Sequence, residues 1–424
     1  MKIPRRLIVN PDDNVFFAVP AVAISTLMLG YSHNLGPASV LLFFALWLPL
    51  PLIGPARAGR AAGAALVVLA LPLFACLSAV WSDAPAFTLR AAMQYFSLLL
   101  CTVIAAIYIS VPSLIWGLLI GCHVINIWSL AFGHEVFDYF GNSYAFAGLF
   151  PSKNVFGFFT SIGILSSFSA IAMLNRRYVL RAAIGVASLQ FFYALIISDS
   201  ATSLISLVGA MLVLCTALIL GRLPRTLRRV AIFAVVLALP LFAVLLLADF
   251  TDILNLTGRD TTLTGRTDLW AAGLSVFSGS PMIGVGYQAF WRPGVPLAEQ
   301  LWHDFYITNP VGFHFHNTYV GILADLGLVG LVLFLLPVGG ALFDSVREAL
   351  HSGDNRIGAI RLAFMTLLLI RSMVEIDVFA AYTIGPFLIF YLSFFPWRRA
   401  IESRYALLAQ YRAATGNFGW APRN

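Results

Sequence analysis

The chain has 424 residues, 60% of them hydrophobic and only 11% charged, with a mean hydropathy of +0.88. Soluble globular chains carry about 25% charged residues, so this composition excludes water as the main solvent and implies a protein that crosses a membrane many times. The formal charge of +7 would allow a nucleic-acid partner, but its placement along the chain follows membrane topology, and none is expected.

The chain opens with basic Lys2, Arg5 and Arg6 and turns apolar from Val15. Polar residues 10–14 interrupt this start and a second apolar run follows almost at once, which points to an uncleaved first span and not a signal peptide. Apolar runs long enough for a helix of roughly 20 residues begin near Val15, Leu35, Ala61, Ala91, Ser113, Val155, Val179, Ala201, Val230, Thr318, Ile360 and Val378. Cys76, Cys101, Cys122 and Cys215 all fall within such runs and form no aqueous disulfide framework. The expected fold is an all-α integral membrane protein, a polytopic bundle of about twelve transmembrane helices with a long periplasmic loop containing short amphipathic helices. Residues 1–248 would hold spans one to nine, 249–317 the loop, 318–396 the last three spans, and 397–424 a cytoplasmic tail.

With a cytoplasmic amino terminus, all but six of the 26 Lys and Arg residues fall in cytoplasmic segments, which puts both termini in the cytoplasm. The exceptions are Arg90, Lys153, Arg259, Arg266 and Arg292 in extracytoplasmic segments and Arg371 within the eleventh span. A cation placed against that preference is costly unless something anionic requires it. The outer loop contains an amphipathic stretch, Arg266 to Phe277, with Leu269, Trp270, Gly273, Leu274 and Phe277 at helical spacing.

The outer face thus gathers Trp81-Ser82-Asp83 with Arg90, then Ser152-Lys153-Asn154, then Gly265-Arg266-Thr267-Asp268, and finally His314-Phe315-His316-Asn317-Thr318-Tyr319. A lipid-linked phosphate would lie at this depth, where Arg or Lys can neutralise it. His314 and His316 could begin a metal site, but no third ligand has suitable spacing, and no metal or other cofactor is expected. Trp270, Trp291 and Trp302 suit a sugar platform, although interfacial anchoring is the more frequent role of such residues.

Gly265 to Trp270, Pro281-Met282-Ile283-Gly284-Val285-Gly286, and His316-Asn317-Thr318-Tyr319 through Ala324-Asp325-Leu326-Gly327-Leu328-Val329-Gly330 together resemble the O-antigen ligase and polymerase superfamily. Trp81-Ser82-Asp83-Ala84-Pro85 with Arg90, Lys153-Asn154, and Arg371 with Glu375 resemble its exopolysaccharide-polymerase branch in particular. The resemblance implies a bacterial inner-membrane glycosyltransferase with a periplasmic active site, metal-independent and inverting. Its donor would be a glycan on undecaprenyl diphosphate and its acceptor a hydroxyl on another glycan, with a chain-length-regulating copolymerase and a flippase as partners.

That chemistry needs cations for the leaving diphosphate and a base of near-neutral pKa for the attacking hydroxyl. His316 is the expected base and Arg266 the first diphosphate ligand. Arg90, Lys153, Arg371, Glu375, Asn317, Asp268 and Tyr319 are the further substrate-binding candidates. The chain departs from the family at Ser198-Asp199-Ser200-Ala201-Thr202, where a cation usually follows the first Ser; Arg371, Lys153 or Arg90 would have to supply it. Each residue also has a plainer reading. Arg266 could simply pair with Asp268 or Asp260, and Arg371 and Glu375, four apart, could form a structural ion pair within the membrane. Arg90 could be a snorkelling residue, Lys153 a loop anchor, and Asp325 a helix residue near the outer surface. Polymerase is the leading function, with a ligase that moves finished polymer onto lipid A core as the rival enzyme and a glycan or solute transporter as the rival of another class.

Overall fold

The computed structural model describes residues 4–138, 143–224, 226–228, 230, 265–307, 310, 312–351 and 354–415, with residues 401–415 described for backbone alone. The first half runs α1 (Arg6–Val9), α2 (Val15–Gly30), α3 (Ser32–Leu35), α4 (Pro37–Trp47), α5 (Leu50–Ile53), α6 (Pro55–Leu77), α7 (Pro85–Tyr108) and α8 (Val111–Phe132). An antiparallel hairpin, β1 (His134–Asp138) with β2 (Ser143–Gly148), is a small departure from the all-helical expectation. Next come α9 (Lys153–Met173), α10 (Tyr178–Ala187), α11 (Leu189–Ile197) and α12 (Ala201–Arg222). Beyond residues 231–264 stand α13 (Arg266–Gly279), α14 (Pro296–Asp304), α15 (Thr318–Ala349), α16 (Arg356–Ser372) and α17 (Ile384–Thr415).

Seven stretches are long and apolar enough to cross a membrane: Pro55–Val80, Pro85–Tyr108, Val111–Phe132, Lys153–Met173, Tyr178–Ile197, Ala201–Arg222 and Thr318–Ala349. Length and hydropathy thus support seven of the expected spans among the described residues. Val15–Gly30 and Pro37–Ile53 are apolar but shorter, and α16 has 17 residues that include three arginines. The run expected from Val230 lies outside the described residues. Large apolar side chains such as Leu204, Ile205, Leu212 and Ile219 on α12 are exposed, as suits a surface solvated by lipid.

Close approach of helices follows from small residues at the contacts. A Cβ on Gly117 of α8 would stand 2.4 Å from Val22 Cβ of α2, and one on Gly121 would stand 2.7 Å from Thr26 Cβ. That spacing of four residues lets two backbones meet without a hydrophobic driving force between them. Away from this contact, Arg361 of α16, fully buried, reaches Asp344 at 2.9 Å and Glu348 at 2.8 Å on α15, and its guanidinium lies 4.1 Å from the Phe395 ring centroid of α17. A desolvated guanidinium with two acids and an aromatic face ties three helices together.

Helix α15 spans 32 residues, about 48 Å at the α-helical rise, and it is broken at Gly327 (φ 64°, ψ −162°). The segment Pro281–Gly286 docks against the break. Val285 N and Gly286 N donate to Ala324 O (3.1 Å) and Asp325 O (2.9 Å), while Leu328 N and Val329 N donate to Pro281 O (2.9 Å) and Met282 O (3.1 Å). Carbonyls and amides orphaned by the break are satisfied by this segment. A Cβ on Gly284 would lie 2.3 Å from Asp325 C, and one on Gly327 2.4 Å from Met282 C. The glycines of both motifs are thus accounted for by packing. Asp325, expected near the outer surface, is instead buried, with Oδ2 accepting from Gln288 N at 2.8 Å.

The loop also builds a satellite core. Leu269 of α13, Phe290, Leu301 of α14 and Phe315 are buried together with Val320 and Ala324 of α15, which fixes the start of α13 against the start of α15.

Candidate active site

The short segment between α16 and α17 brings acidic side chains to the end of the bundle where α9, α12, α13 and α15 begin. Thr318 Oγ1 donates to Glu375 O at 2.8 Å, and Asn317 Nδ2 donates to Met373 O at 2.9 Å. Asn317 Oδ1 meanwhile caps α15, accepting from Tyr319 N (2.9 Å) and Val320 N (3.1 Å). Asn317 and Thr318 therefore hold the backbone that presents Glu375.

Glu375 is the centre of the cluster. Its Oε1 accepts from Arg266 Nη2 at 3.0 Å and from Asn154 Nδ2 at 2.9 Å, and its Oε2 lies 3.2 Å from His316 Nδ1. The His316 backbone has φ +50°, a conformation that costs a non-glycine residue about 1–3 kcal/mol and that gathers at functional sites. His316 N donates to His314 Nδ1 at 3.0 Å, and the two imidazole rings stand 4.2 Å apart. Trp270 Nε1 reaches His316 O at 3.4 Å. Base, cation and carboxylate come from three segments far apart in sequence.

Burial raises the Glu375 carboxyl, but His316, Arg266 and His314 together outweigh it and hold the group well below its ordinary value. The ionised carboxylate can only accept, so His316 Nδ1 is its donor, which leaves Nε2 as the ring nitrogen facing away from Glu375. His314 is pushed down to about 3, by burial first and then by the neighbouring His316. A neutral His314 agrees with its Nδ1 accepting a backbone N–H.

Behind Glu375 lies a second network. Arg371, fully buried, does not pair with Glu375 as the spacing of four residues suggested, because α16 ends at Ser372 and the chain turns away. It pairs instead with Asp377 Oδ2 at 2.5 Å, donates to Ser203 Oγ (2.8 Å) and Asn154 O (3.3 Å), and stacks 4.1 Å from the Phe158 ring centroid. Ser200 Oγ lies 2.9 Å from both Asn154 Oδ1 and Ser203 Oγ. Burial raises the Asp377 carboxyl, Glu375 adds to the rise, and Arg371 opposes it.

Of the residues singled out in the sequence, His316, Arg266 and Glu375 meet directly, and Asn317 supports them. Lys153 opens α9 and pairs with Asp199 at 3.3 Å, so it brings a cation beside the Ser198–Thr202 segment that lacks its own. Arg371 reaches the same region through Ser203. Arg90 is exposed on the first turns of α7 without a side-chain partner among the described residues. Asp268 is exposed in the first turn of α13, where it favours the helix dipole without touching Arg266. Tyr319 packs on Phe334, with centroids 6.3 Å apart, and belongs to the core. Arg259 and Asp260 lie outside the described residues. Asp377, Ser200 and Ser203 were not anticipated; short polar residues in an apolar chain carry little signal until the fold assembles them.

His314, His316 and Glu375 each bring one ligand atom within 4.8 Å of the others. The fold thus supplies the third ligand that sequence spacing did not. The same carboxylate, however, carries Arg266 on one oxygen, and a guanidinium in contact opposes a divalent ion there. The rings of Trp291 and Trp302, 6.4 Å apart, are partly buried against the loop's satellite core together with Phe313 and Phe315.

Residues 186–335 match the O-antigen ligase family. Along almost its whole length the chain is also similar to the exopolysaccharide production protein ExoQ of Rhizobium meliloti (strain 1021), with 35% identity over 394 residues, covering 92% of this chain and 90% of that protein.

Proposed function

We propose a reaction for this site on the premise that the chain belongs to the O-antigen ligase family. Membership and the seven apolar spans make it a membrane enzyme of exopolysaccharide or O-antigen assembly. Our reading is a metal-independent, inverting glycosyltransferase of the bacterial inner membrane, working on its periplasmic face. It polymerises oligosaccharide repeat units carried on undecaprenyl diphosphate. The observation that carries this reading is one carboxylate, Glu375, holding both a guanidinium and an imidazole at the end of the bundle.

In this reaction His316 Nε2 takes the proton of the acceptor hydroxyl while Glu375 holds Nδ1–H and stabilises the imidazolium that forms. The acceptor oxygen attacks the anomeric carbon of the donor from the face opposite the diphosphate. The bond from that carbon to the diphosphate oxygen breaks, and the leaving group departs with the electron pair. Arg266, with Lys153 nearby, neutralises its charge without a divalent ion.

Polymerisation is preferred over ligation because the full-length similarity is to a protein named for exopolysaccharide production. The test uses purified protein in nanodiscs with a synthetic undecaprenyl-diphosphate repeat unit and excess chelator. Growth of lipid-linked chains supports the reading. Transfer only to lipid A core would make the enzyme a ligase, and dependence on added divalent metal would overturn the arginine-based account.

A further inference from the structure

The end of the bundle opposite Glu375 holds a cavity of about 610 Å³ between α9, α12 and the start of α16, within the range of ligand pockets. Helix α9 begins beside Glu375 and runs 21 residues to this cavity, roughly 30 Å or one hydrocarbon thickness. Its apolar walls are Phe168 and Ile171 of α9 facing Met211, Leu214 and Leu218 of α12. The three α12 residues, at positions i, i+3 and i+7, share one helical face with Cys215.

The mouth of the cavity is cationic. Arg356 spends its charge on Asp354, with Nε 2.9 Å from Oδ1, and also donates to Asn175 Oδ1 at 2.8 Å. That pairing removes the acid from the balance. Arg181 donates Nη2 to Leu174 O, yet its Nε is buried without a partner. Arg222 closes α12 at the rim, exposed and without a side-chain partner among the described residues. Two guanidiniums in excess over acids, set beside an apolar slot, suit an anion whose attached chain is itself apolar. A soluble anion would leave the aliphatic walls unfilled.

We infer that this cavity binds an anionic phospholipid, with its phosphate at Arg181 and Arg222 and an acyl chain along α9 and α12. The site is independent of the chemistry at Glu375 and lies at the opposite end of the same helices, so the lipid would brace α9 and α12 where they leave the membrane.

Cys215 lines the cavity and is exposed, whereas Cys101 and Cys122 are buried, so its alkylation reports occupancy in full-length protein carrying Cys76→Ser. Delipidated protein in detergent would be labelled with a maleimide after adding phosphatidylglycerol, cardiolipin, phosphatidylcholine or glycerol phosphate. The two anionic lipids are expected to slow labelling several-fold and the other two to leave it unchanged. Arg222→Gln, at an exposed position that should not perturb folding, weakens the protection, and adding Arg181→Gln removes it. Equal protection by phosphatidylcholine would make the cavity a plain acyl groove, and protection by glycerol phosphate would make it a site for soluble anions. Either result, or full protection in Arg222→Gln, overturns the proposal.

Discussion

Glu375 sets its Oε2 3.2 Å from the Nδ1 of His316, a residue 59 positions earlier in the sequence, and the same carboxylate holds Arg266 by its other oxygen. The imidazole therefore has a fixed tautomer and orientation before substrate arrives, and the guanidinium is held beside it with most of its donors still available. Preorganisation of this kind lowers the reorganisation needed as charge develops.

The first prediction separates the base from its support. His316→Ala should cost about 10²-fold to 10⁴-fold in turnover, the usual worth of a positioned base, with folding and membrane insertion intact. Glu375→Gln keeps the shape but offers His316 an amide, so turnover should fall less while the KM for donor also rises through loosened Arg266. Steady-state kinetics with a lipid-diphosphate donor measures both, and wild-type turnover in His316→Ala would remove the proposed base.

For Arg266 the discriminating change is conservative. Lys keeps the charge but cannot reproduce a forked grip on phosphate oxygens or the contact to Glu375. A loss on the order of tenfold to a hundredfold in kcat/KM is expected for Arg266→Lys, toward the lower range for removing one preorganised donor. Unchanged donor affinity and turnover would assign Arg266 to structure alone.

Much of this site was legible in the sequence because cations are conspicuous in an apolar chain. Arg266, Arg371 and Lys153 stood out against the topological preference, and His316 stood at the end of the loop beside a capping Asn. What could not be read was pairing. Arg371 and Glu375 four apart imply an ion pair only if the helix continues, and it stops at Ser372. Glu375 then swings to Arg266 and His316, and Arg371 takes Asp377. In the fold, the motif glycines at positions 284 and 327 were visible, but their purpose is a contact between segments that sequence spacing does not encode. Its 17 residues and three arginines similarly keep α16 short of a span by length and charge, although Arg361 and Arg371 are buried against acids and aromatic rings.

Acid should act on the site in two windows. Glu375 has a depressed value when folded, so its contribution to stability is complete above its ordinary 4.5 and is lost as the pH falls below that. His314 is depressed from 6.5 to about 3, so the folded chain resists a proton that the unfolded chain accepts; its contribution fades as the pH falls from 6.5 toward 3. Thermal unfolding in detergent from about pH 7.5 down to about 2.5 should show wild type losing stability across both windows. His314→Asn should flatten the upper window and Glu375→Gln the lower one. A wild-type profile without slope over this range would contradict both assignments.

The Arg371–Asp377 pair is expected to support the fold and to act on chemistry only indirectly. Asp377→Asn leaves a fully buried guanidinium without its carboxylate, a change that typically costs about 3–5 kcal/mol. Replacing both partners, Arg371→Met with Asp377→Asn, should recover a large part of that loss, because the uncompensated charge is gone. Thermal unfolding of these two variants together with Arg371→Met alone completes the cycle and measures the coupling. If Asp377→Asn abolished turnover at wild-type stability, the pair would belong to the catalytic machinery.

The break in α15 gives the sharpest test of why the glycines are there. Gly327 has φ +64°, and a Cβ on it would lie 2.4 Å from Met282 C and 2.5 Å from Ile283 N, both backbone atoms that cannot rotate away. Gly327→Ala should therefore cost about 2–4 kcal/mol through strain and overpacking. It should also lower turnover, because pushing out the Pro281–Gly286 segment moves α13 and with it Arg266. Gly339 lies in the same helix, and a Cβ there meets nothing within 4 Å. Gly339→Ala should be neutral or stabilising by up to about 1 kcal/mol, the gain of helix propensity alone. Equal tolerance of the two substitutions, in thermal unfolding and in transfer assays, would show that the docked break does not position the site.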